Sequence, residues 1–329
     1  METVLSGIRP TGNLHLGNYY GALVNFVKMQ EKNNCYFFIA DWHSLTTHPD
    51  PKMLHVNVRN VLAEYLASGL DPEKSTIYLQ SDIKEIAELY LLLNMHAYLG
   101  ELGKTVSFKE KSRKNPNNVN AGLFTYPVLQ AADILIHRAL KVPVGKDQEQ
   151  HLEMTRNYAK RFNNKYGVDF FPEPTAYNFN SELIKIPGLD GSGKMGKSEG
   201  NCIYLIDDPK TIEKKVKKAL TDQGPTEYNS AKPECIENLF TILRVVSKPE
   251  AVSYFEDKWN TCEIRYGDLK KQLAEDIITV TTPIRERILE IQADDDYLRK
   301  VVTEGAEKAR ESAVKTITEV RRIMGFKSF

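Results

Sequence analysis

The sequence predicts an α/β protein in which a doubly wound parallel sheet is followed by a mostly helical region. Three observations predict it. Short apolar runs at residues 4–8, 35–40 and 76–80 alternate with stretches of helical periodicity, and that alternation implies parallel pairing through right-handed crossovers. The 329 residues, 41% of them hydrophobic, suffice for one large domain and a smaller one, each with its own core. From Asp208 onward the apolar pattern becomes almost wholly helical.

Residues 4–8 read as a short buried strand, and residues 19–30 place Ala22, Leu23, Phe26 and Val27 at helical spacing. Residues 35–40 form a second strand. A helix with Val58, Leu62, Tyr65 and Leu66 on one side leads to a third strand at 76–80 and a helix from about 84 to 98. Ligands of such a sheet sit at the carboxyl ends of its strands. In the second half, Ile236, Leu239, Phe240 and Leu243 share one helical face, as do Ala313, Ile317, Val320 and Met324. Asp208-Pro209 reads as a cap and first turn, and residues 221–233, with Gly224 and Pro225, as a surface loop. The expected division is therefore 1–206 and 207–329, the last helix being a candidate to pack back on the first unit.

Lysines and arginines number 44 and aspartates and glutamates 44, so a polyanionic partner must be met by local basic patches. Cys35, Cys202, Cys235 and Cys262 form no CxxC pair, which disfavours a zinc site or disulfide framework and fits a reducing cytoplasm. The beginning of the chain lacks a basic-then-apolar leader, and no apolar stretch approaches the roughly 20 residues that span a bilayer. A soluble, cytoplasmic protein without a membrane partner is the expectation.

Two segments carry most of the chemistry. Arg9-Pro10-Thr11-Gly12-Asn13-Leu14-His15-Leu16-Gly17-Asn18 lies between the first strand and the first helix. Glycines admit a ligand close to the backbone, a helix N-terminus favours anions, and His15 and Asn18 can donate to phosphate oxygens. Taken alone, the segment also reads as a capped helix start. The second segment, Gly191-Ser-Gly-Lys194-Met195-Gly196-Lys197-Ser198, matches the phosphate-loop pattern G-x-x-x-x-G-K-[ST] letter for letter, but that motif requires a helix opening at Lys-Ser. Here Glu199-Gly200-Asn201 and a strand-like 202–205 follow, so the match is rejected. What remains is a loop with two ammonium groups able to offset charge on a leaving pyrophosphate, or a solvated lysine turn.

Tyr126, Gln130 and Asp133 fall on one helix face, with Pro127 suited to the first helical turn, so the three can line one pocket. Asp133 could present a lone carboxylate to a ligand's donor at the end of an apolar pocket, although it could equally cap or pair locally. Residues 109–114 read by composition as a solvated basic loop. His43, just beyond the second strand, lies at the ligand edge of the sheet and could equally be structural.

Together the two segments resemble the HIGH and KMSKS motifs of class I aminoacyl-tRNA synthetases, above all those of bacterial tryptophanyl type, on a Rossmann-type sheet. The resemblance extends through residues 6–12, 108–112, 125–135 and 143–148 and covers essentially the whole chain. It implies a homodimer that activates L-tryptophan with ATP and Mg2+ and charges tRNA(Trp), the helical region reading the anticodon. His15, Asn18, Lys111, Lys194 and Lys197 would then be catalytic. ATP would lie on Arg9, Pro10, Thr11, Gly17, Asn18, Gly145, Lys146, Asp147, Ile186, Lys194, Met195, Gly196, Lys197 and Ser198. Asp133, Tyr126, Gln130, Gln148 and His43 would hold tryptophan.

Some relatives carry an iron-sulfur cluster, which needs about four thiolates; only Cys235 and Cys262 lie in the helical region, so none is expected here. Gly196 stands where KMSKS has serine, Arg9 where many relatives have glutamine and Gln130 where many have methionine. The Tyr-x3-Gln-x2-Asp pattern is shared with tyrosyl-tRNA synthetases, so tyrosine remains the competing substrate. The rival activities are a tRNA-independent adenylate-forming ligase and a catalytically silent RNA-binding relative.

Overall fold

The computed structural model describes residues 1–143, 145, 148–177 and 185–326. Its centre is a five-stranded sheet made of β1 (Thr3–Ile8), β2 (Asn34–Ile39), β3 (Ser75–Leu79), β4 (Lys141–Val142) and β5 (Thr175–Ala176). The strand order is β3-β2-β1-β4-β5 and every pairing is parallel, with Val4 opposite both Cys35 and Lys141. The chain runs outward from β1 to β3 and then restarts beside β1 with β4, so the order reverses between β1 and β4. A crevice opens at the carboxyl ends of strands at such a reversal.

Side chains alternate across the sheet with the period of two that a strand imposes. Cys35, Phe37 and Ile39 enter one core with Phe26, Tyr65 and Leu66, where Phe26 and Phe37 stack with centroids 4.6 Å apart. Tyr36, Phe38 and Ala40 enter the opposite core with Val128, Ala131 and Leu135. Both faces are covered, which is why these strands read as unbroken apolar runs.

The first helical stretch begins at Leu16, passes through a π turn at Tyr19–Leu23 and continues as Val24–Gln30. The helix expected to reach residue 98 is Lys84–Asn94, where the Met95 and His96 N–H groups return to the Leu92 and Leu93 carbonyls and close it. One expectation is overturned: Pro127 stands inside the Ala121–Ile136 helix, not in its first turn. Asn120 caps that helix by accepting the Leu123 N–H at 2.8 Å. Burial of Leu123 and Tyr126 draws the turns before Pro127 into helix although proline supplies no N–H of its own.

Beyond residue 206 come the helices Pro209–Lys217, Glu234–Val246, Pro249–Asn260, Tyr266–Gln292 and Asp295–Ile323. Asp208 caps the first of them through the Thr211 N–H at 3.1 Å. The last turns back along β3, the edge strand, and its Ala306, Ala309, Ala313, Ile317 and Val320 complete the second core. A helix over an edge strand removes a site of unwanted pairing. The approach is close: a Cβ added at Gly305 would lie 1.7 Å from the Ile77 carbonyl oxygen. Among the described residues no helix is long and apolar enough to cross a membrane.

Gly305→Val should therefore cost about 2 kcal/mol or more, the scale of overpacking in a rigid interior. Urea denaturation of the two proteins measures it. An unchanged midpoint would show that the last helix does not sit on β3 at this distance.

Candidate active site

The loop after β1 turns sharply at Gly12, whose φ of +109° lies in the region that favours glycine. His15 then opens the helical turn, and its own N–H donates to Asn18 Oδ1 at 3.1 Å, which fixes the side chain of Asn18 against the loop. Two backbone bonds bind this turn to the segment following the lysine loop: Leu16 N–H to the Ile203 carbonyl at 3.0 Å and Leu205 N–H to the Leu14 carbonyl at 2.9 Å. The strand-like reading of 202–205 thus corresponds to an antiparallel bridge between His15 and Tyr204. Gly17 leaves space for the His15 ring, since a Cβ there would fall 2.9 Å from it.

Lys197 reaches across this junction and donates to the Gly12 carbonyl at 2.7 Å, while Lys194 stands exposed. The loop between them is shaped by Asn201, whose side chain accepts the Gly196 N–H at 2.9 Å and donates to Asp190, Ser192 and the Lys194 carbonyl. Met195 is buried and its N–H donates to the Ile186 carbonyl at 2.9 Å; Ser198 bonds Glu199. Burial, and then the charges of Lys197 and Lys194, hold His15 down at about 4, so near neutrality it is an uncharged donor. Its Nδ1 is buried without a protein partner among the described residues.

The Pro51–Ala67 helix grips the same loop from behind. Asn60 donates to Asn13 Oδ1 at 2.9 Å, and one turn later both oxygens of Glu64 lie 3.0 Å from the Leu14 N–H. Gln292, at the end of the Tyr266–Gln292 helix, donates to Asn60 at 3.0 Å and ties the helical region to this support. Burial pushes Glu64 up to about 8, against the opposing pull of its Leu14 hydrogen bond and of Lys197.

A second group gathers around the Ala121–Ile136 helix. Tyr126 bonds Ser107 and His151, the latter at 2.9 Å, and His151 Nδ1 lies 3.0 Å from Gln148 Oε1. Lys111 does not lie in the solvated loop its composition suggests. It belongs to the Val106–Lys114 helix with its ammonium 4.2 Å from the centre of the Tyr126 ring, because that ring offers a cation a face at the site's edge. Burial and then the nearby Arg9 lower Lys111 to about 8, so the ammonium is still mostly charged near neutrality and a phosphate there would favour that charge further. Two turns after Tyr126 on the same helix, about 10 Å along the axis, Asp133 is 1% exposed. It accepts from Gln80 at 2.8 and 3.0 Å and meets His43 Nε2 at 2.9 Å. Burial pushes Asp133 upward, while the His43 and Gln80 contacts oppose the rise.

The structure thus brings His15, Asn18, Gly17, Met195, Gly196 and Lys197 together at one end, and His43, Tyr126, Gln148, Lys111 and Asp133 around the other. Pro10 is buried; the Thr11 N–H donates to the Arg9 carbonyl at 2.9 Å, and the Gly145 carbonyl accepts from the Gln148 N–H at 2.9 Å. Gln130 is half-buried on the helix that carries Asp133. Lys146 and Asp147 lie outside the described residues. Four contributors escaped the sequence reading: Glu64, Gln80, Asn201 and His151. Glu64 did leave a signal, a carboxylate interrupting the apolar run of residues 61–66, and Gln80 closes a strand at the ligand edge.

The family model for tRNA synthetases class I (W and Y) matches residues 2–282, and the chain belongs to that family. Within it, the chain is 68% identical over 327 residues to a tryptophan-tRNA ligase of Porphyromonas gingivalis, with 99% of this chain and 100% of that protein covered. A tryptophan-tRNA ligase of Rickettsia bellii is 44% identical, with 99% of each covered. The crystal structure of a tryptophanyl-tRNA synthetase from Campylobacter jejuni, complexed with ADP and tryptophan, matches with a TM-score of 0.88 and 35% identity over 98% of this chain and 100% of that one.

The raised Glu64 carboxyl has a pH signature. A group that holds its proton more tightly when folded lowers stability progressively as pH climbs from its ordinary 4.5 through about 8. Glu64→Gln keeps an acceptor for Leu14 but does not titrate. The variant should gain on the wild type across that window in urea denaturation at a series of pH values. A difference that does not move with pH would contradict the burial of this carboxyl.

Proposed function

We propose that the chain activates L-tryptophan with ATP and transfers the tryptophanyl group to tRNA(Trp). The observation that carries this reading is Asp133, a buried carboxylate held by Gln80 and His43 at the carboxyl edge of the sheet, on the same helix as Tyr126. An indole brings one donor and an otherwise apolar surface, and one buried acceptor matches it. The tryptophan and ADP held by the Campylobacter jejuni relative support the same assignment.

In the first step a tryptophan carboxylate oxygen attacks the α-phosphorus of ATP. The bond from that phosphorus to the bridging oxygen breaks, and pyrophosphate leaves with the Mg2+ that entered on the triphosphate. No protein nucleophile takes part. His15 and Asn18 donate hydrogen bonds to the phosphates, and Lys111, Lys194 and Lys197 balance charge that grows on the leaving oxygens. Lys197 rests on the Gly12 carbonyl, a neutral acceptor that an anionic phosphate readily replaces. Tyr126 and Gln148 hold the amino acid end. In the second step a 3′-terminal ribose hydroxyl of the tRNA attacks the activated carbonyl, and AMP leaves.

Residues 1–206 carry this chemistry and 207–329 read the tRNA anticodon, where unpaired bases can stack on exposed rings and meet basic groups. Lys210, Lys214, Lys217 and Lys218 form an exposed basic stretch on and after the Pro209–Lys217 helix, the kind of local patch that a net charge of zero requires. Leu91, Met95, Tyr98, Leu99 and Val106 are exposed apolar groups close in sequence, a surface suited to the partner in a homodimer.

Lys197→Ala or Lys194→Ala should lower the single-turnover rate of adenylate formation by roughly a hundredfold, the loss of one charge-stabilising donor, and leave tryptophan affinity nearly unchanged. An unaltered rate would remove the lysine loop from the chemistry. Asp133→Asn should reduce kcat/KM for tryptophan while thermal unfolding shifts little. Normal tryptophan activation by this variant would mean that the pocket is read by another group.

A further inference from the structure

Gln80 follows β3 at the carboxyl edge of the sheet, is fully buried, and takes no part in the chemistry above. Its amide nitrogen donates to Asp133 Oδ1 at 2.8 Å and Oδ2 at 3.0 Å, and its amide oxygen faces the His43 N–H at 3.4 Å. The amide can be oriented only this way, because the reverse would set its oxygen against a carboxylate. Oδ2 also meets His43 Nε2 at 2.9 Å and so faces two donors, whereas Oδ1 faces one. A carboxylate offers about four acceptor positions, so Oδ1 retains an unused one.

We propose that Gln80 is a positioning residue for side-chain selection: its amide anchors Asp133 so that Oδ1 stays aimed at, and open to, the single N–H of an indole. The inference rests on the reading of Asp133 as tryptophan's partner. Gln80 and His43 also oppose the upward push of burial on Asp133. A protonated Asp133 would offer a hydrogen of its own and no longer require one from the substrate. Selectivity for N–H over an isostere is therefore a property of the Asp133–Gln80 pair, not of the carboxylate alone.

The test compares tryptophan with β-(benzothiophen-3-yl)alanine, in which sulfur replaces the indole N–H at similar shape. Amino-acid-dependent pyrophosphate exchange is measured on the wild type, on Gln80→Met and on Gln80→Asn. The wild type should favour tryptophan by about 10⁴, as sites built around one donor do. In Gln80→Met the KM for tryptophan should rise on the order of tenfold, the scale of a buried hydrogen bond, with kcat and the KM for ATP nearly unchanged. Preference over the sulfur analogue should shrink by at least the same factor.

Gln80→Asn, which keeps the amide one methylene short, should fall between the two and serves alone if the methionine variant does not fold. A general loosening of the protein would lower both substrates together and leave the preference intact. Full wild-type preference in the Gln80 variants would overturn the proposal while the Asp133 assignment stands. A wild type indifferent to the N–H would overturn both.

Discussion

The site depends first on the two backbone hydrogen bonds that join residues 14–16 to 203–205. Residues about 190 positions apart meet there, and the bridge sets where Lys197 can reach. Nucleotide chemistry of this kind asks little of the protein beyond placing charge correctly, so a fixed junction contributes more than any reactive side chain. Gly17 is part of that junction because a side chain there would displace the His15 ring. Asn201 then folds the lysine loop against it with one side chain used four times.

Burial gives the rest of the site its character. His15 is held neutral, Glu64 is driven up to about 8 and Asp133 is drawn upward, in each case with desolvation as the largest cause. Each of the two carboxyl groups is kept in place by donors from the protein: Leu14 for Glu64, Gln80 and His43 for Asp133. A buried acceptor discriminates by what it would lose if left unpaired, which is how an apolar surrounding can acquire chemical selectivity. The contact of Gln292 with Asn60 places the end of the Tyr266–Gln292 helix one residue pair away from Asn13 in the loop after β1. The two regions of the chain thus share a polar support.

Much of this was legible in the sequence, for identifiable reasons. The strands at 4–8, 35–40 and 76–80 are long and apolar enough to show, whereas β4 and β5 span two residues each and leave no periodicity to read. The segments around His15 and Lys194–Lys197 stood out because their glycines, donors and ammonium groups have few other uses in that order. Lys111 was misread by composition, since a basic run usually faces water and only the tertiary position of Tyr126 puts its ammonium over a ring. Pro127 misled because local preference favours a helix start, while the Asn120 cap and the burial of Leu123 decided otherwise. Gln80 was invisible as a functional group because its role exists only through Asp133, fifty-three positions away in the chain.

The central claim is that one buried acceptor and two charge-bearing segments form a tryptophan-activating site. Amino-acid-dependent exchange of labelled pyrophosphate into ATP, run on the wild-type protein with each of the twenty amino acids in turn, tests it most directly. The account predicts exchange with tryptophan far above all others, with phenylalanine inactive and tyrosine weak, because the phenol's hydroxyl and the indole N–H cannot both reach Asp133 from one pocket depth. Faster exchange with tyrosine than with tryptophan would contradict it.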